Sequence, residues 1–205
     1  MISRWLLWTL LAVFCWGIWA VLGKLIGDAL SPAHTQALST IGLIPVMLGL
    51  GVCARPVNPG NRLRGILLAL GAGVLSSLGN IAYYDALNRG PKATTVVPLT
   101  ALYPLVTVLL AVVALRERLN RVQTAGIILS LVAIYLFNVQ QEQGFLSTWL
   151  LVALIPIVLW GITGLLQKLS TNHISGELST LWFLAAFVPV GALLLAGQKL
   201  PRPSV

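Results

Sequence analysis

Seven uncharged stretches of about twenty residues, set apart by short polar breaks, limit what this chain can fold into. They run from Trp5 to Gly23, Gln36 to Ala54, Gly65 to Tyr84, Ala93 to Leu115, Val122 to Gln141, Phe145 to Gln167 and Leu178 to Gln198. A bilayer core of about 30 Å is crossed by roughly 20 apolar residues in helical form. Each stretch therefore reads as a membrane span, and the expected fold is all-α: a polytopic membrane helix bundle of about seven transmembrane helices. Composition agrees, because 58% hydrophobic and 9% charged residues cannot cover a water-soluble globule of 205 residues. The breaks at Ser31-Pro32, Arg55-Pro56 through Pro59-Gly60, Gly90-Pro91 and Gln143-Gly144 leave no room for a soluble domain. The first stretch follows Arg4 as a secretory signal would. Its length and its four tryptophans, Trp5, Trp8, Trp16 and Trp19, make it a retained helix.

The charges set the orientation. Thirteen Lys and Arg stand against five Asp and Glu, for a net charge of +8. With seven crossings and the N-terminus inside, the inner segments hold Arg4, Arg55, Arg62, Arg64, Arg116, Arg118, Arg121 and Lys168. The outer segments hold Lys24, Arg89, Lys92, Lys199 and Arg202. The two dense basic loops fall inside, which predicts a multi-pass protein of the cell membrane with a cytoplasmic N-terminus. No basic patch is interleaved with aromatics, so nucleic acid is not an expected partner. Cys15 and Cys53 read as buried small hydrophobes. His34 and His173 stand apart in loops, with no Ser-His-Asp set, metal cluster or phosphate loop, so neither an enzyme nor a cofactor site is expected.

An internal repeat organises the chain. "WGIWAVLGKL" at Trp16 to Leu25 returns as "WGITGLLQKL" at Trp160 to Leu169, an offset of 144 residues. Five spans fit within that offset, so the second copy enters the membrane from the opposite side. Inverted repeats of this kind belong mostly to secondary transporters.

The Trp-Gly and Lys pattern of the first span, with "YYDALNRGPKATTVVPLTALYPLVTVLLAVVALRERLNRVQTAGIILSLVAIYL" from Tyr83 to Leu136, resembles the drug/metabolite transporter superfamily and its EamA-type members. The resemblance covers residues 5 to 140 well and 148 to 198 more loosely. It implies a five-helix unit duplicated to ten, with residues 1–143 as the first repeat and 144–205 as a partial second repeat holding two helices. It also implies a secondary transporter of small metabolites or drugs, working by alternating access, with proton-coupled efflux as the expected direction. The rival is a non-transporting membrane protein, either a partner subunit or an inactive shortened product. Expected partners are membrane lipid and a small-molecule substrate, with a homodimer or further C-terminal helices completing the set.

Several residues are candidates for the transport path. In the third span Ala69, Ala72, Gly73, Ser76 and Asn80 share one helical face, which suits either close helix packing or a polar cavity wall. Asp85 follows Tyr83 and Tyr84, and Arg89 stands one turn later. The pair reads as an interfacial anchor or as a carboxylate at a cavity mouth. Pro98 and Pro104 each remove a helical donor and free carbonyls near Thr94 and Thr100, with Thr100 and Tyr103 supplying hydroxyls nearby. Such a broken helix serves a substrate cavity or is a plain kink. Trp16 and Trp160 lie deep enough to pack in the core or wall the path. Asn80, Tyr84, Asp85, Pro98, Thr100, Tyr103, Pro104, Trp16 and Trp160 are thus the substrate-binding candidates. Glu117, between Arg116 and Arg118, and Lys24, Lys168 and Arg89 are the interface or gating candidates.

Overall fold

A computed structural model describes residues 3–27, 29–53, 60–89, 93–139 and 148–197. The breaks from Arg55 to Pro59, at Gly90-Pro91 and at Gln143-Gly144, and the bases Lys92, Lys199 and Arg202, lie outside the described residues. Among the described residues there are nine helices and no strand: α1 (Arg4–Ile26), α2 (Pro32–Cys53), α3 (Arg62–Arg89), α4 (Ala93–Thr100), α5 (Tyr103–Leu115), α6 (Arg121–Val139), α7 (Thr148–Thr171), α8 (Gly176–Ala185) and α9 (Phe187–Gly197). Helices α4 and α5 make one interrupted span, and α8 and α9 another. Seven helical units result. Six are long and apolar enough to cross a membrane, and the described apolar part of α6, Arg121–Leu136, is shorter.

The bundle is organised on α3. Its small face, Gly65, Ala69, Ala72, Gly73 and Ser76, is buried along the length of the helix. In lipid, helices associate through close packing and hydrogen bonds, because no water is expelled. Helix α7 runs antiparallel to α3 and donates to its main chain at three levels. Ser170 Oγ reaches the Gly65 carbonyl at 2.8 Å, Thr163 Oγ1 the Ala72 carbonyl at 3.2 Å and Trp160 Nε1 the Ser76 carbonyl at 3.4 Å. A methyl on Gly73 would stand 2.7 Å from Ala186 Cβ, which shows how closely the seventh span also approaches. Helix α5 joins α7 through Thr107 Oγ1, which donates to the Gly161 carbonyl at 2.9 Å.

The interruptions differ from a count of prolines. Helix α4 carries Pro98 inside it and continues to Thr100. Pro98 removes its own donor and crowds the carbonyl of Thr94 one turn back, but in so short a helix only that one turn is affected and the helix continues. The break falls instead at Ala101 and Leu102, just ahead of Pro104, which occupies the first turn of α5 where a missing N–H is tolerated. Thr100 Oγ1 turns back to the carbonyls of Val96 and Val97, at 2.9 and 3.1 Å, and shields the end of α4. The seventh span breaks in the same manner at Ala186, three residues before Pro189.

Helices α1 and α6 are peripheral. Residues 7–18 of α1 are all exposed, as are most described side chains of α6. The two cysteines correct the expectation of burial, since Cys15 and Cys53 are both exposed and free. They sit on helix surfaces that meet the surrounding medium, where an apolar thiol is as well accommodated by lipid as by a core.

Candidate functional site

Four elements meet at a cluster of five aromatic rings. One turn past Gly79, α3 places Tyr83 and Tyr84 side by side, 2% and 3% exposed. Trp19 of α1 stacks on Tyr83 with centroids 4.9 Å apart and meets Tyr84 edge-on at 5.8 Å. Trp160 of α7 lies 5.3 Å from Tyr83 and 6.3 Å from Trp19. Tyr103, the first residue of α5, closes the far side, edge-on to Trp160 at 5.9 Å. Pairs in these arrangements contribute about 0.5–1.5 kcal/mol each beyond the area they bury.

Polar bonds tie the cluster to α1 and α2. Trp19 Nε1 is only a donor, and it gives its proton to Tyr84 Oη at 3.0 Å. Ser39 Oγ donates to the Thr35 carbonyl at 2.7 Å, so the 3.4 Å contact between Tyr84 and Ser39 uses the tyrosine proton. The result is a directed chain from α1 through α3 to α2. One turn beyond, Lys24 Nζ donates to the Leu87 carbonyl at 2.7 Å, capping one of the last free carbonyls of α3. Gly23 permits the approach, because a Cβ there would stand 3.2 Å from the Tyr84 ring.

The structure brings Tyr84, Tyr103 and Trp160 together and leaves other candidates elsewhere. Asp85 accepts from Arg89 Nε at 2.8 Å on the outer side of α3. Both line an open groove of about 390 Å³ with Ser31, Ile81 and Val152, away from the rings. Asn80 is half-buried, one turn before Tyr84. Thr100 is buried with its hydroxyl committed to α4, and Pro98 and Pro104 are exposed. Trp16 is 58% exposed, because α1 touches the bundle only through its C-terminal third. Glu117 and Lys168 are exposed. Arg116, beside Glu117, adopts the left-handed conformation at φ 55° that ends α5.

Trp19 and Tyr83 escape the sequence-based list of candidates. The repeat draws the eye to Trp16, whose counterpart is a tryptophan, while the counterpart of Trp19 is Thr163. The available signal is helical spacing: Trp19 shares a face with Gly23, one turn on, and that face meets α3. Gln36 is also missed. It is fully buried, and both polar atoms of its amide lack a partner among the described residues. Among the described residues no three His, Cys, Asp or Glu side chains converge.

Comparison with known proteins places the chain. An uncharacterized protein of Methanocaldococcus jannaschii is 38% identical over 71 residues, which are 35% of this chain and 51% of that protein. The chain thus matches about half the length of that relative. No solved structure matches. The model of the EamA-like transporter family matches residues 3–139, well over half of the chain. With its helical architecture, this multi-pass membrane protein belongs to the EamA-like transporter family.

Proposed function

We propose that the protein moves small metabolites or drugs across the cell membrane as a secondary transporter, exporting them by alternating access with proton coupling. The N-terminus lies in the cytoplasm, residues 1–143 form the first repeat, and 144–205 begin the second. The observation that carries the reading is the aromatic cluster, where α1, α3, α5 and α7 meet beside an interrupted span. Aromatic rings offer a large apolar contact area to flat and apolar solutes, and a broken helix supplies both bending and free carbonyls.

In this reading the bundle has still and moving parts. The three side-chain-to-carbonyl bonds between α3 and α7 favour their moving as one body. Helix α1 is held mainly by Trp19, Gly23 and Lys24, and α4 meets α5 at a two-residue break. Opening therefore separates α1 and α4 from α3, α7 and the α5 bonded to α7, with the α4–α5 break as the hinge, exposing the rings to one side.

Flux measurements test the reading. Purified protein in proteoliposomes is expected to move at least one member of a small-metabolite panel under an imposed proton gradient, and Trp160→Ala is expected to lower that flux at least tenfold. Absence of flux across the panel, or a Trp160→Ala variant that transports normally, overturns it.

A further inference from the structure

Helix α3 carries a second polar feature on the side away from the rings. Leu78, Ile81, Ala82, Asp85 and Arg89 recur every three or four residues and form one face, turned away from the buried Tyr83 and Leu87. They floor an open groove of about 390 Å³. The start of α2, from Ser31 to Ala33, lines one side, and Val152 and Ile155 of α7 line the other. The floor is apolar up to the last turns of α3, where Asp85 accepts from Arg89 Nε at 2.8 Å. Among the described residues that line the groove, these two alone are charged.

The dimensions suit one lipid tail. Helix α3 has 28 residues, so Leu78 lies near its middle and Arg89 at its end. From Leu78 to Arg89 the helix advances eleven residues, or about 16 Å. Half of a hydrocarbon core of about 30 Å is about 15 Å, so the groove runs the depth of a single leaflet and brings its two charges to the headgroup level. A volume of about 390 Å³ over about 16 Å leaves a mean cross-section of about 24 Å². That is the width of one hydrocarbon chain and about a third of the section of a helix about 10 Å across. The groove thus admits a tail and not a further helix.

The charges select the headgroup. Their bond uses one of the five N–H donors of the guanidinium and one of the two carboxylate oxygens. The side chains of Arg89 and Asp85 are 58% and 27% exposed, and a pair this open contributes little by itself. Both members therefore keep capacity for a ligand. Arginine fits a phosphate through paired N–H groups, and a carboxylate accepts from an ammonium. An anionic headgroup would satisfy Arg89 but set a second negative charge beside Asp85. A small soluble zwitterion would fill the mouth and leave the apolar floor bare.

We infer that this groove binds a zwitterionic phospholipid with a primary ammonium, of the phosphatidylethanolamine class. One acyl chain lies along Leu78, Ile81 and Ala82, the phosphate meets Arg89 and the ammonium meets Asp85. The bound lipid ties the start of α2 to the α3–α7 pair.

Photolabelling of the unaltered chain tests the place, and competition tests the headgroup. The full chain is reconstituted in phosphatidylglycerol vesicles with a trace of phosphatidylethanolamine that bears a diazirine midway along one acyl chain. After irradiation and digestion, label is expected on peptides holding Leu78 to Ala82 or Val152 to Ile155, at least fivefold above the exposed faces of α1 and α6. Unlabelled phosphatidylethanolamine is expected to displace it at least fivefold better than phosphatidylcholine, which has no ammonium proton to donate. Glycerophosphoethanolamine, the headgroup without tails, is expected to displace nothing. Arg89→Ala and Asp85→Asn should each lower the groove labelling at least fivefold, while Arg121→Ala, at an exposed base that begins α6, leaves it unchanged. Label spread evenly over exposed helix faces overturns the inference. So does equal displacement by phosphatidylcholine, displacement by the headgroup alone, groove labelling that survives the Arg89 and Asp85 substitutions, or an equal loss in Arg121→Ala.

Discussion

A single added methyl group is expected to act with opposite sign at two glycines of this chain. At Gly73 a Cβ would collide with the carbonyl oxygen of Phe183 and stand 2.7 Å from Ala186 Cβ and 3.0 Å from the Phe183 carbonyl carbon. Two of those three atoms are main chain, so relief requires α8 to shift as a body. Overpacking of this kind costs about 1–3 kcal/mol, and the gain in helix propensity from glycine to alanine returns about 1 kcal/mol. With main-chain neighbours the upper part of the range applies, and Gly73→Ala is expected to lose about 2 kcal/mol, roughly thirtyfold in the folding equilibrium. At Gly42, in α2, no atom of the described residues lies within 4 Å of the added carbon. Only the propensity remains there, and Gly42→Ala is expected to gain about 0.5–1 kcal/mol. Gly79→Ala should fall between them, since its clash is with the Trp160 indole, which can tilt. Reversible unfolding in mixed micelles titrated with dodecyl sulfate, followed by tryptophan fluorescence, measures all three. A Gly73→Ala variant as stable as Gly42→Ala would refute the close contact of α3 with the seventh span.

Further expectations follow from single bonds. Tyr84→Phe breaks the relay between Trp19 and Ser39, so hydrogen exchange in α1 should accelerate while α3 and α7 stay protected; unchanged exchange in α1 would count against that link. Thr163→Val keeps the side-chain shape and removes the bond to the Ala72 carbonyl, with an expected loss of about 0.6 kcal/mol in the same micelle titration. Asp85→Asn removes an ion pair whose arginine is 58% exposed, so stability should hardly change. Lost flux in that variant would assign the carboxylate a part in transport, and normal flux would leave it an anchor. Pro104→Ala should join α4 to α5 and slow flux several-fold, and an unaltered rate would argue against bending at Ala101 and Leu102.

Much of the architecture is legible in the residues because hydrocarbon admits few structures. The span read from Ala93 to Leu115 has the bounds of the α4–α5 unit, and the second and seventh spans differ from their helices by a few residues. The third span, which hydropathy ends at Tyr84, continues as a helix to Arg89, because charge stops a hydropathy count but not a helix whose charged ends reach the surface. The prolines announce that the fourth span is interrupted, but the position of the break depends on what α4 packs against. The site is less legible. Trp16 and Trp19 are the same residue type three positions apart, and only the angle at which α1 meets α3 decides which one joins Tyr83. Partners separated by 65 residues, as Trp19 and Tyr84 are, leave no local trace.

The bonds from α7 to α3 also carry a schedule. Ser76, Ala72 and Gly65 precede their partners Trp160, Thr163 and Ser170 by 84, 91 and 105 residues. At synthesis rates of roughly 5–20 residues per second, the small-residue face of α3 waits in the bilayer for about 4–20 s before its partner helix is made. During that interval the same face that later forms the tightest seam of the bundle is open to any neighbouring helix. The long separation thus leaves this seam exposed to wrong pairing for seconds during biogenesis, before the seventh span closes over Gly73 in turn.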